Sequence, residues 1–193
     1  AFSKAAGEMA CWAWHRAYGV PVTIMSNGVV VGPNMRRNIF IFIWLWNAFQ
    51  GTPIAIEGGE QTRDVTYVDD VLDAWMLALN ASSDVVAGEK FQVSYGSEWA
   101  VADLAKLCQS IVDPAVPIVV GPYRPGELGQ RECFTIEKAK RVLGYAPQWS
   151  TPAAIWETAK WMQARWFPES KIVVPSWHDA HLDRKRPSHA VEA

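Results

Sequence analysis

An uncharged run rich in β-branched residues, PVTIMSNGVVVGP at positions 21–33, constrains the fold more than any other stretch of the chain. Its residues do not alternate strictly between polar and apolar, as those of a strand with one wet face would. The run is therefore typical of a strand buried on both faces, and it ends where Gly32-Pro33 favours a loop. Such strands occur in parallel sheets covered by helices, so the run predicts an α/β fold.

The segments around this run support the same fold class, because strand-like and helix-like patterns alternate up to position 166. Helices are predicted at 3–18, 39–50, 68–81, 100–112, 135–145 and 151–166. Strands are predicted at 21–31, 52–56, 62–68, 89–96 and 116–122, and 123–134 reads as a polar loop. From 167 to 193 no period is sustained, so we divide the chain into a domain at 1–166 and a loosely ordered tail at 167–193.

Local signals refine three of these helices. In the third, Val71, Trp75 and Leu79 repeat at i, i+4 and i+8, which predicts its buried face, and Asp69 is predicted to cap the helix or anchor a loop. Thr135 is predicted to cap the short helix that Gly144 closes. Pro152 stands near the start of the last helix, where proline is tolerated.

Composition excludes several classes of function. A formal net charge of −2 and a pI near 6.1 give no electrostatic reason to expect a nucleic acid partner. Three widely spaced cysteines suit neither a disulfide framework nor a CxxC metal site, and they favour the cytoplasm. The longest apolar run, at 39–49, is too short to cross a bilayer. His178, Asp179 and His181 only loosely resemble a metal cluster, so no metal site is predicted.

Six motifs occur in a set order: SKAAGE, VVVGP, EQTRDVTYVDDV, FQVSYG, YRPGE and KAKRVLGYAPQWS. Together they resemble the C-terminal half of extended short-chain dehydrogenase/reductases, the NAD(P)-dependent sugar-nucleotide epimerases and dehydratases. The resemblance covers residues 1–166. It implies the C-terminal part of a Rossmann-type fold, with its last parallel strands at 21–31 and 91–94 and a small α/β substrate-binding lobe.

Lys4 matches the lysine of the family's Tyr-x-x-x-Lys pair, in which the lysine lowers the pKa of a catalytic tyrosine and holds the nicotinamide ribose. The tyrosine would stand one place before Ala1, and no GxxGxxG motif for the dinucleotide occurs in the sequence. The resemblance thus implies NAD or NADP in the complete enzyme, bordered by Lys4, Val29 and Val30, and none bound by this chain alone. An ordinary i, i+4 pair between Lys4 and Glu8 remains the alternative.

The resemblance also implies a set of substrate-binding residues: Gln61, Arg63, Tyr67, Arg124 and Glu127. Arg63 and Arg124 would bind the diphosphate of a sugar nucleotide, since guanidinium groups bind phosphate oxygens in a bidentate manner, and Glu127 would contact the ribose. Two alternatives stay open: Arg63 pairs with Asp64, Asp69 or Asp70, or the YRPGE segment is a plain surface loop. Asp64 is expected to be structural.

The sequence departs from the family pattern at several polar positions. Ser26, Val29 and Val31 replace arginine, asparagine and tyrosine, and Gln92 and Tyr95 replace asparagine and serine. These changes leave the identity of the sugar open, together with the choice between epimerisation and dehydration. Arg36 and Arg37 could face a phosphate or form a solvated pair in a loop.

Two functions are therefore expected. In the first, the chain is the sugar-nucleotide-binding half of an NAD(P)-dependent epimerase/dehydratase and is completed by an N-terminal half that carries the dinucleotide site. In the second, it is a non-catalytic binding or assembly subunit that forms a homodimer through the helix at 2–18.

Overall fold

The computed structural model describes residues 2–174, in which strands and helices alternate along the chain. The helices are α1 Phe2–Tyr18, α2 Phe40–Phe49, α3 Val68–Asn80, α4 Ser83–Val86, α5 Val101–Val112, α6 Glu137–Leu143 and α7 Thr151–Trp166. The strands are β1 Ile24–Asn27, β2 Val29–Val31, β3 Ile54–Glu57, β4 Thr62–Arg63, β5 Val65–Tyr67, β6 Lys90–Val93, β7 Trp99–Ala100 and β8 Ile118–Gly121. The predicted α/β fold is confirmed.

The run at 21–31 forms two strands instead of the single predicted one. β1 pairs in parallel with β6, and β2 pairs in parallel with β5. The change of partner occurs at Gly28, whose N–H donates to the carbonyl of Val93, whereas the N–H of Val29 donates to that of Asp64. A Cβ at position 28 would lie 2.8 Å from the Asp64 carbonyl oxygen, so only glycine allows this approach.

The segment predicted as one strand at 62–68 is also divided. β4 pairs antiparallel with β7, a strand that the sequence did not indicate, and β5 joins β2. Asp64 stands between the two short strands with its carboxylate buried. β3 pairs in parallel with β8 as a separate two-stranded unit.

Two apolar clusters hold these layers together. The larger one centres on α2, whose Ile41, Leu45 and Ala48 face α5 and α7 at helical spacing. The smaller one packs α3 and α6 against β6 around Phe91 and Ala74. The fold thus fixes β1 and β2 between two cores.

The predicted buried face of α3 is confirmed at Val71 and wrong at Trp75 and Leu79. Val71, Ala74 and Ala78 are buried, whereas Trp75 and Leu79 are 45% and 72% exposed. The alanines belong to the smaller cluster, which the spacing of the larger apolar residues did not indicate.

Two predicted helix caps are also wrong. Tyr67 precedes α3 and Ile136 precedes α6, and neither makes a side-chain capping bond, so Asp69 and Thr135 do not occupy the N-cap positions. The predicted end of α6 is confirmed, because Gly144 has the left-handed φ of 73° and its N–H donates to the carbonyl of Lys140.

The two ends of the described chain differ in packing. α1 has no buried residue, although the Glu8 carboxylate pairs with the Lys90 ammonium at 2.7 Å. Residues 168–174 pack along α5 and α7, where Val173 donates to the carbonyl of Ile111 and accepts from the Trp156 indole. The rest of the proposed tail lies outside the described residues, as do His178, Asp179 and His181, so its looseness stays a prediction.

No helix in residues 2–174 combines the length and apolar character that a membrane span requires.

Candidate functional site

A cleft with a volume of about 840 Å³ runs beside β1 and β2. Its wall begins with Lys4 and Glu8 of α1 and continues through residues 25–33. Residues 34–36 and 38–40, Ile43, Val68 and Arg124 complete it. The cleft therefore joins the first helix, the two parallel strands and the loop that follows them, where parallel α/β folds commonly bind ligands.

The three residues predicted to border the cofactor, Lys4, Val29 and Val30, lie together in this cleft. The alternative pair between Lys4 and Glu8 is not formed, because Glu8 reaches Lys90 instead. An ammonium beside an apolar strand wall fits a nicotinamide ribose, so these residues suit one end of a dinucleotide. The sequence offers no glycine-rich loop for the pyrophosphate end.

Arg63 lies in an acidic surrounding. Its Nη2 is 3.2 Å from Glu127 and its Nε is 3.7 Å from Glu132, while Nη1 donates to the carbonyl of Thr62 at 2.8 Å. The side chain is 12% exposed. Arg63 pairs with none of the alternative partners Asp64, Asp69 and Asp70. It is ion-paired, as that alternative proposed, but with Glu127 and Glu132. Phosphate binding by Arg63 requires exchange of these carboxylates.

Gln61 links Glu127, the partner of Arg63, to Glu57, the partner of Arg124. Its buried amide donates to Glu127 at 3.3 Å and to the backbone carbonyl of Glu57, whose carboxylate pairs with Arg124 through Nε. Arg124 remains 64% exposed and is the predicted substrate residue that lines the cleft. Gln61, Glu127 and Arg63 form a cluster beside it.

Tyr67 lies in the core. It is 6% exposed, and its ring centroid is 4.6 Å from that of Trp149. The Cβ of any residue at position 32 would lie 3.3 Å from the Tyr67 ring and 2.6 Å from Val68. Gly32, with a φ of 137°, thus lets the cleft loop turn against Tyr67.

Two carboxylates that look exposed in sequence are buried. Asp64 accepts hydrogen bonds from the Ser94 hydroxyl and from the N–H groups of Gly96 and Phe134. Burial nevertheless raises the pKa of Asp64. The structural role expected of Asp64 agrees with these contacts.

Asp70 holds the loop before α7, a part that the sequence had suggested for Asp69. Its carboxylate accepts from the N–H groups of Gln148 at 2.7 Å and Trp149 at 3.1 Å. Burial raises the pKa of Asp70 to about 6, and the charges of Asp73 and Asp69 add to the effect.

The two arginines after Gly32-Pro33 lie in different surroundings. Arg36 lines the cleft, whereas the Arg37 guanidinium carbon lies 5.2 Å from the Trp166 ring centroid. Both residues are nevertheless exposed in the loop before α2, which agrees with the solvated pair considered from sequence. The apolar cleft residues Phe40 and Ile43 were missed too, and their i, i+3 spacing on α2 was the available signal.

The altered polar positions divide between cleft and interior. Ser26, Val29 and Val31 line the cleft. Gln92 is elsewhere, and its Oε1 is buried with no hydrogen-bond partner in the described part of the chain. The Tyr95 N–H donates to the Thr66 hydroxyl at 3.1 Å, which ties its strand end to β5.

Comparison with known sequences relates the chain to sugar-nucleotide enzymes. Residues 1–94 match the NAD dependent epimerase/dehydratase family. The dTDP-glucose 4,6-dehydratase of Haemophilus influenzae is 30% identical over 172 residues, which cover 82% of this chain and 50% of that enzyme. The dTDP-L-rhamnose 4-epimerase of Burkholderia thailandensis is 27% identical over 83% of this chain and 45% of its own length.

Solved structures show the same relation. UDP-glucose 4-epimerase from Thermotoga maritima, solved with UDP-glucose, superposes with a TM-score of 0.78 at 27% identity and covers 85% of this chain and 53% of its own. dTDP-glucose 4,6-dehydratase from Streptomyces venezuelae, solved with NAD bound, gives 0.76 at 25% identity over 86% and 52%.

The chain spans about half the length of the curated relatives it matches. Its motif order, its parallel α/β pairing and these superpositions agree with one another. The chain therefore belongs to the NAD-dependent epimerase/dehydratase family, of whose extended short-chain dehydrogenase/reductase fold it spans a part.

Proposed function

We propose that this chain provides the sugar-nucleotide-binding half of an NAD(P)-dependent epimerase or dehydratase. The observation that carries the proposal is the presence of Lys4 and Arg124 in one cleft, although 120 positions of sequence separate them. A cation near the reacting sugar and a cation near the diphosphate are the two charges that such a substrate calls for. The relatives solved with UDP-glucose and with NAD support the same ligand classes.

The cleft residues divide into two groups by position. Lys4, with Val29 and Val30, would border the nicotinamide ribose, where the ammonium stabilises the charged form of a neighbouring phenol. Arg124 would bind the diphosphate through its exposed terminal nitrogens. Gln61, Arg63 and Glu127 form the cluster beside Arg124, and Tyr67 packs against the cleft loop at Gly32.

Bound NAD(P) would supply the hydride acceptor in the complete enzyme. The residues of this chain orient the sugar nucleotide against it and hold a positive charge at Lys4. Tight NAD binding and turnover are not expected from this chain by itself, because no glycine-rich dinucleotide loop occurs in its sequence.

Calorimetric titration with UDP-glucose and dTDP-glucose tests the proposal. We expect measurable binding that weakens by about 10- to 100-fold in Arg124→Gln, since a charge-assisted contact is lost. Arg141→Gln is the matched control, because Arg141 is exposed on α6 and does not line the cleft. Equal affinities of the Arg124 and Arg141 variants would contradict the assignment of Arg124, and no binding of either sugar nucleotide would contradict the function.

A second candidate, a non-catalytic assembly subunit, is favoured by the exposed apolar side chains of α1. Met9, Trp14 and Tyr18 are 68%, 60% and 72% exposed, which is a large apolar surface for one helix. If this helix pairs with a second copy, sedimentation equilibrium will give a dimer that Trp14→Glu dissociates. Leu128→Glu, which changes an exposed loop residue, is the control. A monomer at all concentrations would rule this candidate out.

A further inference from the structure

The first helix contacts the rest of the chain along one narrow face. The partly buried residues of α1 are Glu8, Cys11, Trp12 and His15, and its other side chains are exposed. Their spacing of i, i+3, i+4 and i+7 places these four residues on one side of the helix. Lys4 precedes Glu8 by one turn on the same side, and both residues line the cleft. The contact face of α1 therefore continues into the cleft at Lys4.

Two contacts hold this face in place. The Glu8 carboxylate pairs with the Lys90 ammonium at 2.7 Å, and the two side chains are only 25% and 29% exposed. The His15 ring lies on the backbone of Gly88, where an added Cβ would be 2.6 Å from Nε2. Its Nδ1 donates to the carbonyl of Val20 at 2.7 Å. Glu8 and His15 are about 10 Å apart along the helix axis, so the two contacts set both the position and the rotation of α1.

Lys90 faces α1 because side chains alternate along β6. Phe91 and Val93 are fully buried in the smaller cluster. Successive side chains of a strand point to opposite faces, so Lys90 and Gln92 lie on the other face of β6. Because Glu8 pairs with Lys90, α1 lies on that face. The Lys90 side chain thus serves the contact with α1 and takes no part in the apolar cluster.

Glu8 has two potential cationic partners. Lys4 stands four positions before it on α1, a spacing at which opposite charges on a helix can pair. The structure shows the pair with Lys90 instead. Within residues 2–174, Lys4 forms no ion pair with a carboxylate. The partly buried Glu8–Lys90 pair is less screened by water than a pair with the exposed Lys4 would be, so the Lys4 ammonium stays available to the cleft.

We propose that Lys90 is a positioning residue for Lys4. Through Glu8 it holds α1 against β6, and because it occupies the Glu8 carboxylate, it keeps that carboxylate from pairing with Lys4. Lys90 is not among the residues that line the cleft, so it acts there only through Glu8. This inference rests on the proposed function, in which the charge of Lys4 acts beside the nicotinamide ribose, and it adds to that function a residue outside the cleft.

Acetylation of the chain with acetic anhydride measures the state of Lys4. Only the neutral amine reacts, so a lysine that is paired with a carboxylate is acetylated more slowly. In Lys90→Met, Glu8 becomes free to pair with Lys4, and the acetylation of Lys4 should become about twofold slower relative to that of the exposed Lys171. Mass spectrometry of the digested chain gives both rates. Lys90→Arg retains the cation and should restore the original rate of Lys4.

Glu8→Gln separates positioning of Lys4 from a purely structural effect. This change also removes the ion pair with Lys90, but it leaves no carboxylate at position 8 that could bind Lys4. Lys4 should therefore be acetylated at least as fast in Glu8→Gln, and in Glu8→Gln combined with Lys90→Met, as in the unchanged chain. Equal slowing in Glu8→Gln and Lys90→Met, or no slowing in Lys90→Met, would overturn the proposal.

Hydrogen exchange measures how firmly α1 is held. Lys90→Met and Glu8→Gln should each speed exchange of the α1 amides by about twofold to fivefold, because a partly buried ion pair is lost, whereas Lys90→Arg should not. Lys106→Met is the matched control, since Lys106 pairs with Asp103 of its own helix at 3.2 Å. Unchanged exchange of α1 in Lys90→Met would contradict the role of Lys90 in holding the helix.

The outcomes separate this inference from the proposed function. If neither UDP-glucose nor dTDP-glucose binds the unchanged chain, the proposed function fails, and the inference loses its basis whatever the acetylation rates. If the sugar nucleotides bind and Lys90→Met leaves the acetylation of Lys4 unchanged, the function stands and the inference is overturned. Far-ultraviolet circular dichroism checks that each variant is folded.

Discussion

Asp64 and Asp70 show how single carboxylates organise this fold. Each is buried, and each accepts hydrogen bonds from residues far away in sequence: Asp64 from Phe134, and Asp70 from Gln148 and Trp149. Asp64 ties the segment after β8 to the short strands β4 and β5, and Asp70 ties the segment before α7 to α3. The carboxylates act as anchors of the loops that surround the site, while Arg124 and Arg36 face the ligand space.

Asp70 gives a prediction for pH dependence. Burial raises its pKa from 3.8 to about 6, so the folded chain binds more protons than the unfolded chain between these values. The contribution of Asp70 to stability is therefore greatest at low pH and declines as the pH rises through about 6. We expect Asp70→Asn to flatten this part of the stability profile by at most roughly 3 kcal/mol.

Urea denaturation at about pH 4.5 and about pH 7 measures this effect. Asp103→Asn is the control, because Asp103 is exposed and pairs only locally with Lys106. If Asp70→Asn and Asp103→Asn show the same pH dependence, burial of Asp70 is not its source.

At the scale of elements, the sequence correctly predicted the boundaries whose signals are local in the chain. Gly144 closes α6 as expected, and Gly32-Pro33 ends the β-branched run. The division of that run at Gly28 was not predictable, because it depends on the carbonyls of Asp64 and Val93, which belong to other strands.

The same reason explains the other errors. The caps assigned to Asp69 and Thr135 were plausible by residue type, but the helices start after Tyr67 and Ile136 instead. In the candidate site, motif matching identified Lys4 and Arg124, whereas Arg36 remained ambiguous because only the folded loop separates it from Arg37.

The end of α6 provides a prediction at this scale. Gly144 has a φ of 73°, so Gly144→Ala should destabilise the chain by about 1 kcal/mol even though nothing lies near the new methyl group. Gly7→Ala is the contrasting variant, since Gly7 is inside α1 with equally open surroundings, and it should raise stability or leave it unchanged. Urea denaturation followed by circular dichroism measures both, and equal losses would refute the backbone explanation.

For the whole molecule, burial is distributed unevenly. α2 and α7 face a shared core, whereas α1 touches the rest of the chain through an edge that includes Glu8 and Lys90. Local stability should follow this distribution, because elements with little buried apolar surface open more easily.

Hydrogen exchange measured by mass spectrometry tests this expectation. Amides of α1 should exchange at least about tenfold faster than those of α7, although the two helices have 17 and 16 residues. The similar lengths make α7 an internal control. Equal protection would mean that another surface covers α1 in solution, as the assembly candidate requires.

The indole of Trp166 lies next to side chains from α2, from α7 and from the loop before α2. Its ring centroid lies 4.9 Å from that of Trp161 and 5.7 Å from that of Trp46, and Arg37 lies over it. Indoles this close couple their electronic transitions, so the near-ultraviolet circular dichroism of the chain should contain a strong signal from this group. Because Arg37 neighbours the cleft residue Arg36, occupation of the cleft should change that signal without any added label.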